Sequence, residues 1–183
     1  MKTRSLAITA VLLALGYVLH AVMPPLFLGM RPDMMLTMLF LTIIMFPALS
    51  NVIVAALATG VITAITTTFP GGQIANLVDK PISALVFLAL FLLISRIKLN
   101  ALTAASLTLV GTIVSGSIFL GTALLVAGLP GTFSALFLTV VLPTAAINCV
   151  VMFVIYPVAN SVRKRTAPQN SQTIAAQNTA KKA

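Results

Sequence analysis

Residues 101–127 read ALTAASLTLVGTIVSGSIFLGTALLVA, an uninterrupted run without one charged side chain. A bilayer core about 30 Å thick is crossed by roughly 20 helical residues. This stretch is therefore long enough to span a membrane and longer than a buried helix of a small soluble domain usually is. Working outward, a comparable run follows at 132–158, and others precede it at 81–95, 52–69, 34–49 and 6–23. Six apolar segments predict an all-α, polytopic membrane protein with six transmembrane helices. Composition agrees: 60% of residues are hydrophobic, 7% are charged and the mean hydropathy is +1.13, whereas a soluble domain carries about 25% charged residues. The second and third segments are separated only by Pro47-Ala-Leu-Ser-Asn51, which predicts a tight helical hairpin.

The few charges orient the bundle. Lys2 and Arg4 precede the first segment, Arg96 and Lys98 lie between the fourth and fifth, and Arg163, Lys164 and Arg165 follow the sixth. Six crossings place all three clusters on one side, which the positive-inside rule makes cytoplasmic. Both termini are then expected in the cytoplasm of a cell-membrane protein. The other side carries Arg31 and Lys80, each near an aspartate. Residues 1–165 are read as the transmembrane domain. The Ala/Gln/Asn/Thr/Lys-rich stretch 166–183 lacks apolar periodicity and is expected to be a disordered cytoplasmic tail. The basic start and apolar run of residues 1–23 imitate a secretory signal, but the run is long, lacks a small-x-small cleavage site and leads into five more segments. It is read as a retained first helix.

Several function classes are excluded. The net charge of +9 comes without the aromatic-basic patch of a nucleic-acid binder. A single cysteine, Cys149, and a single histidine, His20, leave no multi-thiolate or paired-His metal site. With no His/Cys/Ser constellation, catalysis has no candidate residues, and no cofactor is expected. No Walker-type loop is present, so uphill transport would draw on an ion gradient or a partner.

Both acids of the chain lie in two polar segments on the predicted outer side, Pro24–Met34 and Phe69–Pro81. Their prolines and glycines predict shaped loops. Leu26, Phe27, Leu28 and Met30 are apolar enough to pack over the helix ends as a lid. Arg31 suits a carboxylate through a bidentate hydrogen bond. An ammonium group suits Asp33 or Asp79. Gln73 and Asn76 offer donors and acceptors, and Phe27 or Phe69 can stack on a flat apolar group. A structural reading stands beside this one: Arg31 pairs with Asp33, Lys80 neighbours Asp79, and Asp79 caps a helix starting at Lys80-Pro81. In the sixth segment Pro143 leaves the Thr139 carbonyl without its usual partner and predicts a kink. Asn148, buried in a membrane helix, must meet a neighbouring helix or a ligand.

Small residues supply close-packing faces. The third segment has Ala56, Gly60 and Ala64 beside Ala55, Thr59, Thr63 and Thr67. The fifth has Thr112 and Gly116, then Ser117 and Gly121, and the first has Ala10 and Ala14.

The segments GMRPDMML (29–36) and TTTFPGGQIANLVDKP (66–81), with the opening MKTRSLAITAVLLALGYVLHAVMPPLFLGM, resemble the TrpP-type tryptophan transporter family over roughly residues 1–160. That family is in turn similar to the substrate-binding S components of energy-coupling factor (ECF) transporters. The resemblance implies an S-component-like six-helix bundle that captures tryptophan from outside. It also implies contact between Ala10 and Ala14 and a membrane coupling subunit driven by two ATPases. The implied ligand has an indole, a carboxylate and an ammonium group, for which Arg31, Asp33, Phe69, Gln73, Asn76, Asp79 and Asn148 are the candidate contacts. Two alternatives are a self-sufficient secondary carrier of tryptophan or aromatic amino acids, and a non-transporting six-helix scaffold.

Overall fold

The computed structural model describes residues 3–24, 31–94 and 99–166. They form six helices: α1 (Thr3–Val22), α2 (Met34–Met45), α3 (Leu49–Thr66), α4 (Gly72–Ile94), α5 (Ala101–Ala127) and α6. The last runs through Phe133–Leu136, a π turn at Phe137–Val141, and Leu142–Thr166. Five of the six are long and apolar enough to cross a membrane. Outward positions such as Val11, Leu57, Leu93, Leu125 and Val154 are exposed and apolar, as a lipid-facing surface requires.

The exception is α2. Its 12 residues extend about 18 Å, short of the hydrocarbon thickness. Met34 through Ile44 are all buried, and α2 touches α1, α3, α4, α5 and α6. A helix that is apolar all round belongs in an interior, and here the other helices enclose it. Phe40 on α2 stacks on Phe87 of α4 with centroids 4.0 Å apart. Small residues admit the close approaches. A Cβ at Gly16 would lie 2.9 Å from Met38, and one at Gly111 would lie 2.8 Å from both stacked rings.

Polar contacts fix the alternation of directions. His20 Nδ1 lies 3.1 Å from the Pro32 carbonyl oxygen, while Asn51 Nδ2 donates to Thr9 Oγ1 at 3.1 Å. Thus α2 and its flanking segments run from the C-terminal end of α1 back towards its start. Asn76 reaches the Thr63 carbonyl, Ser115 reaches Asp79, and Tyr156 reaches the Leu99 carbonyl. Successive helices are therefore antiparallel. The starts of α2, α4 and α6 share one end of the bundle. Arg4 and Arg163 belong to the other, as expected. Lys2, Arg96, Lys98, the expected lid at 26–30 and the tail beyond Thr166 lie outside the described residues.

Several boundaries differ from the sequence reading, and three bear on the site. Helix α2 ends at Met45 and α3 begins at Leu49, because Pro47 denies a backbone donor to a continuing helix. More consequentially, α4 begins at Gly72 and not near Pro81. Gly71, at φ +69°, turns the chain, and Gly72 N–H bonds the Phe69 carbonyl. Buried residues then recur at 72, 75, 76, 79, 80, 83, 84, 87, 88 and 91, a single helical face. Most of the expected second loop is thus the first turns of a membrane helix, with Asp79 in its interior and not at its cap. In α6 the π turn meets Pro143: Leu142 N–H bonds the Phe137 carbonyl five residues back, the kind of adjustment a proline in a helix calls for.

Candidate functional site

At the end where α2, α4 and α6 begin, the helices leave a cavity of about 190 Å³. Ligand pockets for drug-sized molecules run to about 300–1,000 Å³, so this one suits a smaller guest, of amino-acid size. Part of its lining is charged. Asp33 is the N-cap of α2, with Oδ1 accepting the Leu36 N–H at 3.1 Å. Its Oδ2 lies 2.6 Å from Lys80 Nζ, which also lies 2.7 Å from Asp79 Oδ2. Asp79 is fully enclosed. Ser83, one turn along α4, donates to Oδ1 at 2.6 Å, and the Ser115 hydroxyl of α5 lies 2.8 Å from both carboxylate oxygens. Side-chain exposure separates the three charges: 0% for Asp79, 3% for Lys80 and 23% for Asp33. Burial disfavours the charged carboxylate of Asp33, but Lys80, His20 and the Leu36 N–H together hold it below the usual carboxylate range.

Arg31 stands exposed at the rim, donating to the Ala21 carbonyl at the end of α1 at 3.3 Å. The last carbonyls of a helix favour a cation there. Arg31 makes no ion pair among the described residues, so the expected Arg31–Asp33 pair is not formed. The stronger partner is Lys80, which α4 carries inward on the same face as Asn76, Asp79 and Ser83. The lining also includes an apolar group. Phe69, buried, packs on Phe119 with centroids 5.4 Å apart, and Leu120, Val140 and Val141 continue the surface.

The structure thus brings Arg31, Asp33, Phe69, Asn76 and Asp79 around one cavity. Gln73 is exposed and off it, because the helix starting at Gly72 turns that position outward. Asn148 is wholly buried but does not line the cavity. Its Nδ2 donates to the Asp33 carbonyl and to Thr112 Oγ1, both at 3.3 Å, so it joins α6 to the start of α2 and to α5. Sequence reasoning left out Lys80, Ser115, His20 and Thr144, all on the wall. Lys80 had a signal, an ion within an apolar helix, which reading 69–81 as a loop concealed. The hydroxyls had none, since Ser and Thr are frequent throughout the chain. Ala10 and Ala14 are exposed on α1, away from its buried Thr9–Leu13–Gly16 face. Among the described residues no group of His, Cys, Asp and Glu could hold a metal ion.

Residues 2–164 match a family model described as tryptophan transporter TrpP. A probable tryptophan transport protein of Bacillus subtilis (strain 168) is 49% identical over 167 residues, covering 91% of this chain and 96% of the relative. One from Clostridium perfringens (strain 13 / Type A) is 41% identical over 175 residues, with the same shares of each chain covered. No solved structure matches.

Proposed function

The chain belongs to the TrpP tryptophan transporter family, and from that premise we propose that it takes up tryptophan by capturing it in the cavity beneath Arg31 and Asp33. The observation that carries this reading is the cavity's mixed lining. The charged Arg31, Asp33 and Lys80 and the aromatic Phe69 and Phe119 line the same cavity, as a zwitterion with a flat apolar side chain requires. Arg4 and Arg163 at the far end support a cytoplasmic assignment for that end and for both termini. The cavity then opens towards the outside.

Thermal unfolding of the purified protein across the amino acids tests the substrate. Tryptophan should raise the Tm while alanine and lysine leave it unmoved. Undiminished tryptophan affinity in both Arg31→Ala and Asp33→Ala would remove the cavity as the site.

We further propose that the protein works as an ECF-type S component, docking Ala10 and Ala14 on a coupling subunit driven by two ATPases. The exposure of both alanines on α1 supports this, since an outward small-residue face permits close helix approach. Replacing both with leucine should abolish uptake and spare binding, and normal uptake in that double variant would count against the mechanism. One observation favours a self-sufficient secondary carrier instead. The buried Asp33–Lys80–Asp79 cluster is the type of group that marks ion pathways in membranes. Tryptophan uptake into vesicles lacking any ATPase partner would establish that reading.

A further inference from the structure

We propose that Lys80 reads the ligand's carboxylate, with Asp79 and Ser115 as the positioning residues that hold it in place; this rests on the tryptophan-uptake reading of the cavity. A lysine used only to staple helices needs one acid. Lys80 has two, Asp33 at 2.6 Å and Asp79 at 2.7 Å, so the cluster keeps one negative charge in excess. An ammonium group has three donors. Two are taken by the aspartates, and the third has no partner among the described residues, although Lys80 lines the cavity.

The two acids have different tasks. Asp79, although it lines the cavity, is 0% exposed, and its oxygens already have Lys80, Ser83 and Ser115 as partners. It fixes the lysine. Asp33, partly open, retains lone pairs for an incoming ammonium. With Lys80 and Arg31 positive and both aspartates negative, the wall is neutral, and a zwitterion leaves it neutral. An amine lacking the carboxylate leaves the third Lys80 donor unmet. Arg31 adds less to this discrimination, because its exposed guanidinium is screened by water, whereas Lys80 acts where water is excluded.

The chain contains no tryptophan of its own, so the indole emission of a bound ligand reports binding directly. Tryptophan is compared with tryptamine, which lacks only the carboxylate. The wild type should prefer tryptophan by about 10- to 100-fold, the range of a charge-assisted hydrogen bond. The double variant Lys80→Met/Asp79→Asn removes one buried charge of each sign. It should bring the two affinities within about threefold by weakening tryptophan alone. Ser115→Ala keeps every charge, guards against a double variant that fails to fold, and should lower the preference by about two- to tenfold. A preference unchanged in these variants but lost in Arg31→Ala overturns the assignment and leaves the cavity reading standing. Failure of the wild type to bind either indole overturns both.

Discussion

The Ser115 hydroxyl, 2.8 Å from both oxygens of Asp79, sets the two aspartates of the cavity apart. With Ser83 and Lys80 it completes the inner carboxylate and leaves Asp33 as the partly exposed one. Substitutions at the two acids should therefore differ in kind. Asp33→Asn keeps an N-cap oxygen for Leu36, since Asn caps nearly as well as Asp, but loses the negative charge towards the ligand. Tryptophan affinity should fall by about 10- to 100-fold with only a small change in Tm, as fluorescence titration and thermal unfolding will show. Asp79→Ala strands three donors in a dry interior. Loss of one partner from a buried ion pair costs about 3–5 kcal/mol, so its main effect should be a lower unfolding midpoint. A Tm equal to wild type would mean that the enclosed pair contributes nothing. Gln73, exposed on the outer face of α4, supplies the control: Gln73→Ala should bind tryptophan within about twofold of wild type, as expected for a surface substitution far from any partner.

At the scale of the helices, stability depends on how closely backbones approach, and the glycines of α5 sample both extremes. Gly111 lies under the Phe40–Phe87 stack, where a Cβ would sit 2.8 Å from both rings; Gly121 has open space. Gly111→Ala should destabilise by about 1–3 kcal/mol, the usual cost of overpacking. Gly121→Ala should be neutral or stabilise by up to about 1 kcal/mol through helix propensity. Equal melting shifts for the two would refute the packing assignment. The same helices show what could be read from the chain alone. Apolar length and the positions of Arg4 and Arg163 revealed the helix number and alternation, because desolvation of the backbone admits few other solutions in lipid. The start of α4 was not legible. Asn76, Asp79, Lys80 and Pro81 have the composition of a loop, and only the tertiary partners Asp33 and Ser115 make their burial tolerable. For the site, Arg31, Asp33, Phe69, Asn76 and Asp79 were legible as chemistry gathered in two segments. Lys80's bridging position depends on α2 and α5 meeting α4, which local sequence does not contain.

At the scale of the whole molecule, one end holds the cavity and the other holds Arg4 and Arg163. Between them the central α2 is only 12 residues long, enclosed by the longer helices. If the cavity takes the ligand as proposed, a ligand at Asp33 sits at the end of the bundle where this short inner helix begins. The orientation proposed from positive charge can be tested independently of binding. Cys149 is the single native cysteine, so Cys149→Ala supplies a background without thiols. Thr132→Cys marks the cavity end, where Thr132 is exposed just before α6, and Ser161→Cys marks the other end, where Ser161 is exposed near its close. A membrane-impermeant maleimide should label the Thr132→Cys protein in intact cells. It should label the Ser161→Cys protein only after the membrane is opened, since the two positions lie on opposite sides of the hydrocarbon barrier. The reverse pattern would place the cavity in the cytoplasm and turn the uptake reading into one of export. Labelling of both in intact cells would contradict the six-helix alternation itself, because the length of α6 sets these positions about 44 Å apart along its axis.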